Sequence, residues 1–125
     1  MSDSVKILMI EDSPSLAEVY KAYLADTDHQ VFALETLGRA HATLGAFRPD
    51  IVLLDIELPD GNGMDFLADL QGREDAPRVI VMTAHGTSEM AVDAIRLGAF
   101  DFLTKPFDAA RLKVTLGNAA SQLRL

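Results

Sequence analysis

Polar side chains able to do chemistry stand at the ends of short apolar runs in this chain. Glu11 and Asp12 follow ILMI, Asp55 follows IVLL, Thr83 follows VIVM, and Thr104, Lys105 and Pro106 follow FDFL. Three carboxylates, two hydroxyls and an ammonium are therefore available, although they lie far apart in the chain. Three carboxylates held close together repel one another unless a cation neutralises them or some keep a proton. Their donors are all oxygen, a set that suits Mg²⁺ or Mn²⁺ and not Zn²⁺. A carboxylate can also attack phosphorus and become an aspartyl phosphate. A phosphoryl group in transfer spreads charge over three oxygens, which a metal, a lysine and a hydroxyl can each meet. If the fold gathers these residues, they are the components of phosphoryl transfer onto a carboxylate.

The patterning supplies elements that would gather them. Val5–Ile10, Ile51–Leu54, Val79–Met82 and Phe100–Leu103 are short, nearly unbroken apolar runs, and Gln30–Leu34 is a weaker one. Such runs read as strands buried on both faces, as in a parallel sheet. Helical spacing lies between them. Ser13 is placed to cap a helix with Pro14 in its first turn, carrying Leu16, Val19, Tyr20, Tyr23 and Leu24. Leu37, Ala40, Leu44 and Phe47 form a second set, and Met64, Leu67 and Leu70 a third. Thr87 can cap a helix with Met90, Ala91, Ala94 and Ile95 that ends at Gly98; Asp108 can cap a last one with Leu112, Leu116, Ala119 and Leu123. Five strands alternating with five helices predict an α/β fold, a five-stranded parallel sheet with helices on both faces. In such a sheet all strands end on one edge, where ligands bind in open α/β folds. Four of the five runs then deliver complementary groups to that edge.

Composition narrows the class. The chain has 125 residues, 49% of them apolar and 24% charged, which fits one globular domain over 1–125. A net charge of −8 with scattered Lys and Arg argues against direct nucleic-acid binding by this segment. Without Cys, disulfides and thiolate metal sites are excluded. No apolar run is long enough for a membrane span, and MSDSVK has no signal-peptide pattern, so the simplest reading is a cytoplasmic protein.

The motifs ILMIED, IVLLDIELPDGNGMD, VIVMTAHG and GAFDFLTKPF, in this order and spacing, resemble the response-regulator receiver domain of two-component signalling over essentially the whole chain. The resemblance implies a doubly wound, CheY-like (βα)5 fold with Asp55 as phosphoacceptor. It implies that Glu11, Asp12, Asp55 and the Glu57 backbone carbonyl hold Mg²⁺. Thr83 would be the switch hydroxyl, Lys105 the phosphoryl-contacting lysine, Phe102 the switch aromatic, and Lys105–Pro106 a cis peptide. The first acid is Glu where many members have Asp, and the switch aromatic lacks a phenol hydroxyl. Such a domain takes its phosphoryl group from a sensor histidine kinase or a histidine phosphotransfer protein. It is not an enzyme beyond assisting its own phosphorylation and dephosphorylation. MTAHGTSEMAVDAIRLGAFDFLTKPFDAARL is in addition similar to receivers of NtrC-type activators, including the quorum-sensing LuxO regulators. That likeness implies the N-terminal part of a longer sigma-54-dependent activator, with ATPase and DNA-binding domains downstream and a homodimer on phosphorylation.

Other readings are weaker. A haloacid-dehalogenase phosphatase needs its nucleophile on the first strand and a second Asp two residues on, whereas Glu57 stands two residues after Asp55. A flavin-binding module needs a phosphate-cradling loop, and Glu11–Asp12 would repel the phosphate. A receiver used only for docking would not need the full set of site residues. Asp60 to Gly63 reads as a loop before a helix with structural acids, Asp65, Asp69 and Glu74 as a solvated helix face, and His29 and His41 as solvent-facing. His85, two residues past Thr83, is placed to look over the site.

Overall fold

All five apolar runs become strands of one sheet, and the three central ones place Val, Ile, Leu or Met on both of its faces. The computed structural model describes residues 4–123, with only the backbone of Leu123. Leu123, expected on the apolar side of the last helix, thus has its side chain outside the described part. The strands are β1 Lys6–Ile10, β2 Gln30–Leu34, β3 Ile51–Asp55, β4 Arg78–Thr83 and β5 Asp101–Thr104. The helices are α1 Pro14–Tyr23, α2 Ala40–Phe47, α3 Gly63–Leu70, α4 Ser88–Arg96 and α5 Ala109–Leu123. Every neighbouring strand pair is parallel, in the order β2-β1-β3-β4-β5. Between β3 and α3, where the sequence reads as loop, Glu57–Leu58 pairs antiparallel with Gly61–Asn62.

The period of two sorts the strands into two cores. Ile7, Met9, Ile51, Leu53, Ile80, Met82 and Leu103 face Tyr20 of α1 and Leu112 and Leu116 of α5. Leu8, Ile10, Val52, Leu54, Val79 and Val81 face Leu44 of α2, Phe66 and Leu67 of α3 and Ala94 of α4. Full burial of each such side chain is worth about 1.5–3 kcal/mol, so the three central strands anchor the domain.

The helix ends follow their signals. Ser13, Thr87 and Asp108 accept the N–H groups of Leu16 (3.3 Å), Met90 (3.1 Å) and Arg111 (2.8 Å). α4 closes in a Schellman motif: Gly98 adopts φ 105°, its N–H donates to Ile95 O (3.0 Å), and the Ala99 N–H donates to Ala94 O (3.0 Å). Some details depart from the sequence reading. Leu16 and Val19, expected on the apolar side of α1, are exposed and Ala17 is buried in their place, whereas Tyr20 and the cap residue Leu24 are buried as expected. α2 starts at Ala40, so Leu37 lies in the preceding turn. His29 is half-buried, its Nδ1 accepting the Val5 N–H at 3.1 Å, because it sits beside the paired start of β1.

Among the described residues, the Thr115 hydroxyl on α5 is buried with no hydrogen-bond partner. Thr115→Val keeps the shape and removes a desolvated polar group, so it should raise stability by about 1 kcal/mol, read as a higher urea midpoint. A lower midpoint would show that the hydroxyl is satisfied in solution.

Candidate functional site

The edge formed by the strand C-termini gathers the groups singled out above. The Glu11 N–H donates to Leu34 O at 2.9 Å, which extends the β1–β2 ladder one residue into the site. Asp55 is the last residue of β3 and Thr83 the last of β4. Lys105 follows β5, with its N–H donating to the Thr83 carbonyl at 2.8 Å, and its peptide to Pro106 is cis, as the resemblance implied. α3 starts hard against this edge: a Cβ on Gly63 would lie 2.7 Å from the Asp55 carbonyl oxygen, so only glycine lets the helix come so close. Asn62 caps that helix by accepting the Met64 N–H at 2.8 Å, and Asp60 accepts the N–H groups of Leu37 (2.9 Å) and Gly38 (2.8 Å). The acids of this loop, read as structural, do serve to hold it.

Side chains then converge. The Lys105 ammonium donates to Asp55 Oδ2 at 2.8 Å and, in a shorter contact, to Glu11 Oε1. The Ser13 N–H donates to Glu11 Oε2 at 3.1 Å, and the Glu57 N–H to Asp55 Oδ1 at 2.9 Å. Glu11 and Asp55 are buried, whereas Asp12 is exposed. Burial pushes the Glu11 carboxyl above its ordinary range; Lys105 and the Ser13 N–H pull the other way, while Asp12 adds to the rise. Burial by itself would lower the Lys105 ammonium, but Asp55 and Glu11 outweigh it and hold the lysine above its usual value, firmly charged at neutral pH.

Ligand atoms of Glu11, Asp12 and Asp55 all lie within 4.8 Å of one another. One lysine faces two buried carboxylates with a third beside them, which leaves an excess of negative charge on oxygen donors. The set fits a hard divalent cation.

Thr83 is fully buried and its hydroxyl donates to Glu57 Oε1 at 2.8 Å while accepting the His85 N–H at 3.1 Å. His85 is exposed, with Nε2 3.7 Å from Glu57 Oε2, and does look over the site. Phe102 is half-buried, and a Cβ on Gly86 would lie 2.8 Å from its ring. His41 is exposed, as read, beside Arg73 and Asp69. Sequence reasoning missed the buried Tyr20–Phe107 stack (centroids 4.7 Å apart), which lies close enough to Lys105, Glu11 and Asp55 to feel their charges. The Thr83–Glu57 hydrogen bond was also not foreseen; spacing alone gives no sign of either.

Residues 7–116 match the family described as the response regulator receiver domain. The chain belongs to that family. Among curated relatives, the regulatory protein LuxO of Vibrio cholerae is 42% identical over 119 residues, which cover 93% of this chain and 26% of that protein. The chemotaxis protein CheY of Listeria monocytogenes is 36% identical over 117 residues, covering 93% of this chain and 98% of that protein. This receiver thus spans about a quarter of the LuxO relative and nearly the whole of the CheY relative. The crystal structure of the signal receiver domain of a putative LuxO repressor protein from Vibrio parahaemolyticus superposes with a TM-score of 0.92 at 36% identity, covering 97% of this chain and 93% of that one. The receiver fold and the likeness to LuxO-type regulators expected from the motifs are borne out. Among the described residues, no helix is long and apolar enough to cross a membrane.

Proposed function

We propose that this receiver is a phosphoacceptor that takes a phosphoryl group onto Asp55 from the phosphohistidine of a sensor histidine kinase or a histidine phosphotransfer protein. One observation carries the reading: Asp55 is a buried carboxylate at a strand end, gripped by Lys105 at 2.8 Å, with the oxygens of Glu11 and Asp12 close by. In the transfer an Asp55 oxygen forms a bond to phosphorus as the phosphorus–nitrogen bond breaks, and the phosphohistidine ring, protonated on its other nitrogen, takes the bonding pair and departs as neutral imidazole. Lys105 can turn to the incoming phosphoryl oxygens without leaving Asp55. Glu11, Asp12, Asp55 and the Glu57 carbonyl would hold Mg²⁺ (or Mn²⁺), which neutralises phosphoryl charge when bound. The role of this domain is signalling, with catalysis confined to its own Asp55.

The output follows from charge. The acyl phosphate adds about −1.5 to −2 units at the strand edge. Thr83 then donates to a phosphoryl oxygen, Phe102 turns into the space behind it, and the face made of α4, β5 and α5 changes shape. Val92 and Ile95 on α4 and Val114 on α5 are exposed apolar residues of the helices that border this face. By likeness to LuxO, the segment over 1–125 is the receiver at the N-terminal end of a cytoplasmic sigma-54-dependent activator in a quorum-sensing pathway, with ATPase and DNA-binding domains downstream.

Incubation with acetyl phosphate and Mg²⁺ should add one phosphoryl group, labile to hydroxylamine and mapping to the peptide that holds Asp55. A mass unchanged after such treatment, in protein shown to be folded, would refute the phosphoacceptor reading.

A further inference from the structure

We infer that the Glu57 carboxylate is a latch that competes with the phosphoryl group for the Thr83 hydroxyl and so holds this receiver in its resting arrangement. The inference rests on reading Asp55 as the phosphoacceptor. A hydroxyl has one proton to donate. In the resting structure that proton is committed to Glu57 Oε1 at 2.8 Å, and the lone-pair side of the same oxygen accepts the His85 N–H at 3.1 Å. Thr83 is fully buried, so its hydroxyl cannot fall back on bulk water when it changes partner. A carboxylate is also the strongest acceptor a side chain can offer to a neutral hydroxyl. Two acceptors of the same charge type therefore contend for one proton, and the phosphoryl group gains it only if Glu57 gives it up.

The latch is built on the acceptor itself. Glu57 stands two residues past Asp55 and its N–H donates to Asp55 Oδ1 at 2.9 Å, which fixes the base of the latch relative to the reacting carboxylate. Its second oxygen lies 3.7 Å from His85 Nε2, so the loop after β4 offers Glu57 another partner on release. Glu57 and His85 are thus positioning residues that act through Thr83. A plain charge effect is the competing account: Glu57 is negative and would disfavour any anion at Asp55, whatever Thr83 does.

A double-mutant cycle separates the two. Binding of beryllofluoride in the presence of Mg²⁺ is measured by calorimetry for the unsubstituted chain, Glu57→Ala, Thr83→Val and the double variant. Loss of the latch should tighten binding roughly ten-fold with Thr83 present, the scale of one charge-assisted hydrogen bond. In the Thr83→Val background the same change should alter it by less than about two-fold. Equal tightening in both backgrounds would mean charge alone and would overturn the latch, as would unchanged or weakened binding in Glu57→Ala. The free protein gives a second reading that needs no ligand: three-bond couplings of Thr83 should report one side-chain rotamer in the unsubstituted chain and averaging in Glu57→Ala. One and the same rotamer in both overturns the latch even if Thr83→Val binds too weakly to complete the cycle. Absence of beryllofluoride binding in every form, including the unsubstituted chain, would instead bring down the phosphoacceptor reading and the latch with it.

Discussion

Asp55→Asn should abolish phosphoryl incorporation from acetyl phosphate and leave the fold in place. The amide nitrogen lone pair is delocalised and the amide oxygen makes no stable phosphoryl ester, so no acyl phosphate forms. The new side chain has the shape of the old one in a site only 4% exposed. It offers one acceptor where Asp55 offers two, to Lys105 (2.8 Å) and to the Glu57 N–H (2.9 Å), so one hydrogen bond is lost. That loss costs about 1 kcal/mol and is offset by relief of repulsion among neighbouring carboxylates. Intact mass spectrometry should therefore find no phosphorylated species above background in the variant, and urea unfolding should give a midpoint near that of the parent. Labelling at the parental level would move the phosphoacceptor elsewhere in the chain.

Lys105→Met should have the largest effect on stability among the site substitutions. The lysine side chain is 10% exposed and faces the carboxylates of Glu11 and Asp55, which are 0% and 6% exposed. Methionine matches its length but leaves both acids without their shared cation. Removing one partner of a buried ion pair costs about 3 kcal/mol or more, because the remaining charge stays desolvated. In the presence of chelator the urea midpoint should fall accordingly. Millimolar Mg²⁺ should restore part of the loss, since an ion that binds only the folded state stabilises it by mass action. Phosphorylation should be slowed strongly in the same variant. A midpoint within about 1 kcal/mol of the parent, with and without Mg²⁺, would show that Lys105 is not the counter-charge of this pair.

The strand ends were legible because both signals are local: an unbroken Val/Ile/Leu run marks a doubly buried strand, and the next residue marks its end. The parallel sheet then does the gathering, so Glu11, Asp55, Thr83 and Lys105 could be brought together without coordinates. The caps at Ser13, Thr87 and Asp108 and the Gly98 stop are local in the same way. The apolar stripe of α1 was legible at Tyr20, Tyr23 and Leu24 but not at Leu16 and Val19, because hydrophobicity ranks those two above Ala17. Close packing of that helix on the sheet instead selects the small residue, with Tyr20 and Leu24. The Thr83–Glu57 bond depends on a rotamer and on the course of the turn after Asp55, neither of which has a signature in the string of residues. Tyr20 on α1 and Phe107 in the turn after β5 stack although they lie far apart in the chain, so no local pattern announces the pair.

The alternation of the strands has a consequence for how such a domain can vary. Glu11, Asp55 and Lys105 fall in step with Met9, Leu53 and Leu103, on the side of the sheet covered by α1 and α5; Thr83 falls in step with Val81, on the opposite side. Deleting or inserting one residue within a strand would turn its terminal functional group to the wrong side and drag its apolar neighbours with it. Length change is thereby forbidden inside β1, β3, β4 and β5 and pushed into the connections on the far edge, away from Asp55. The site is guarded against insertions and deletions by the same pleat that builds the core, so drift in length and loss of chemistry are coupled in the strands and uncoupled in the loops.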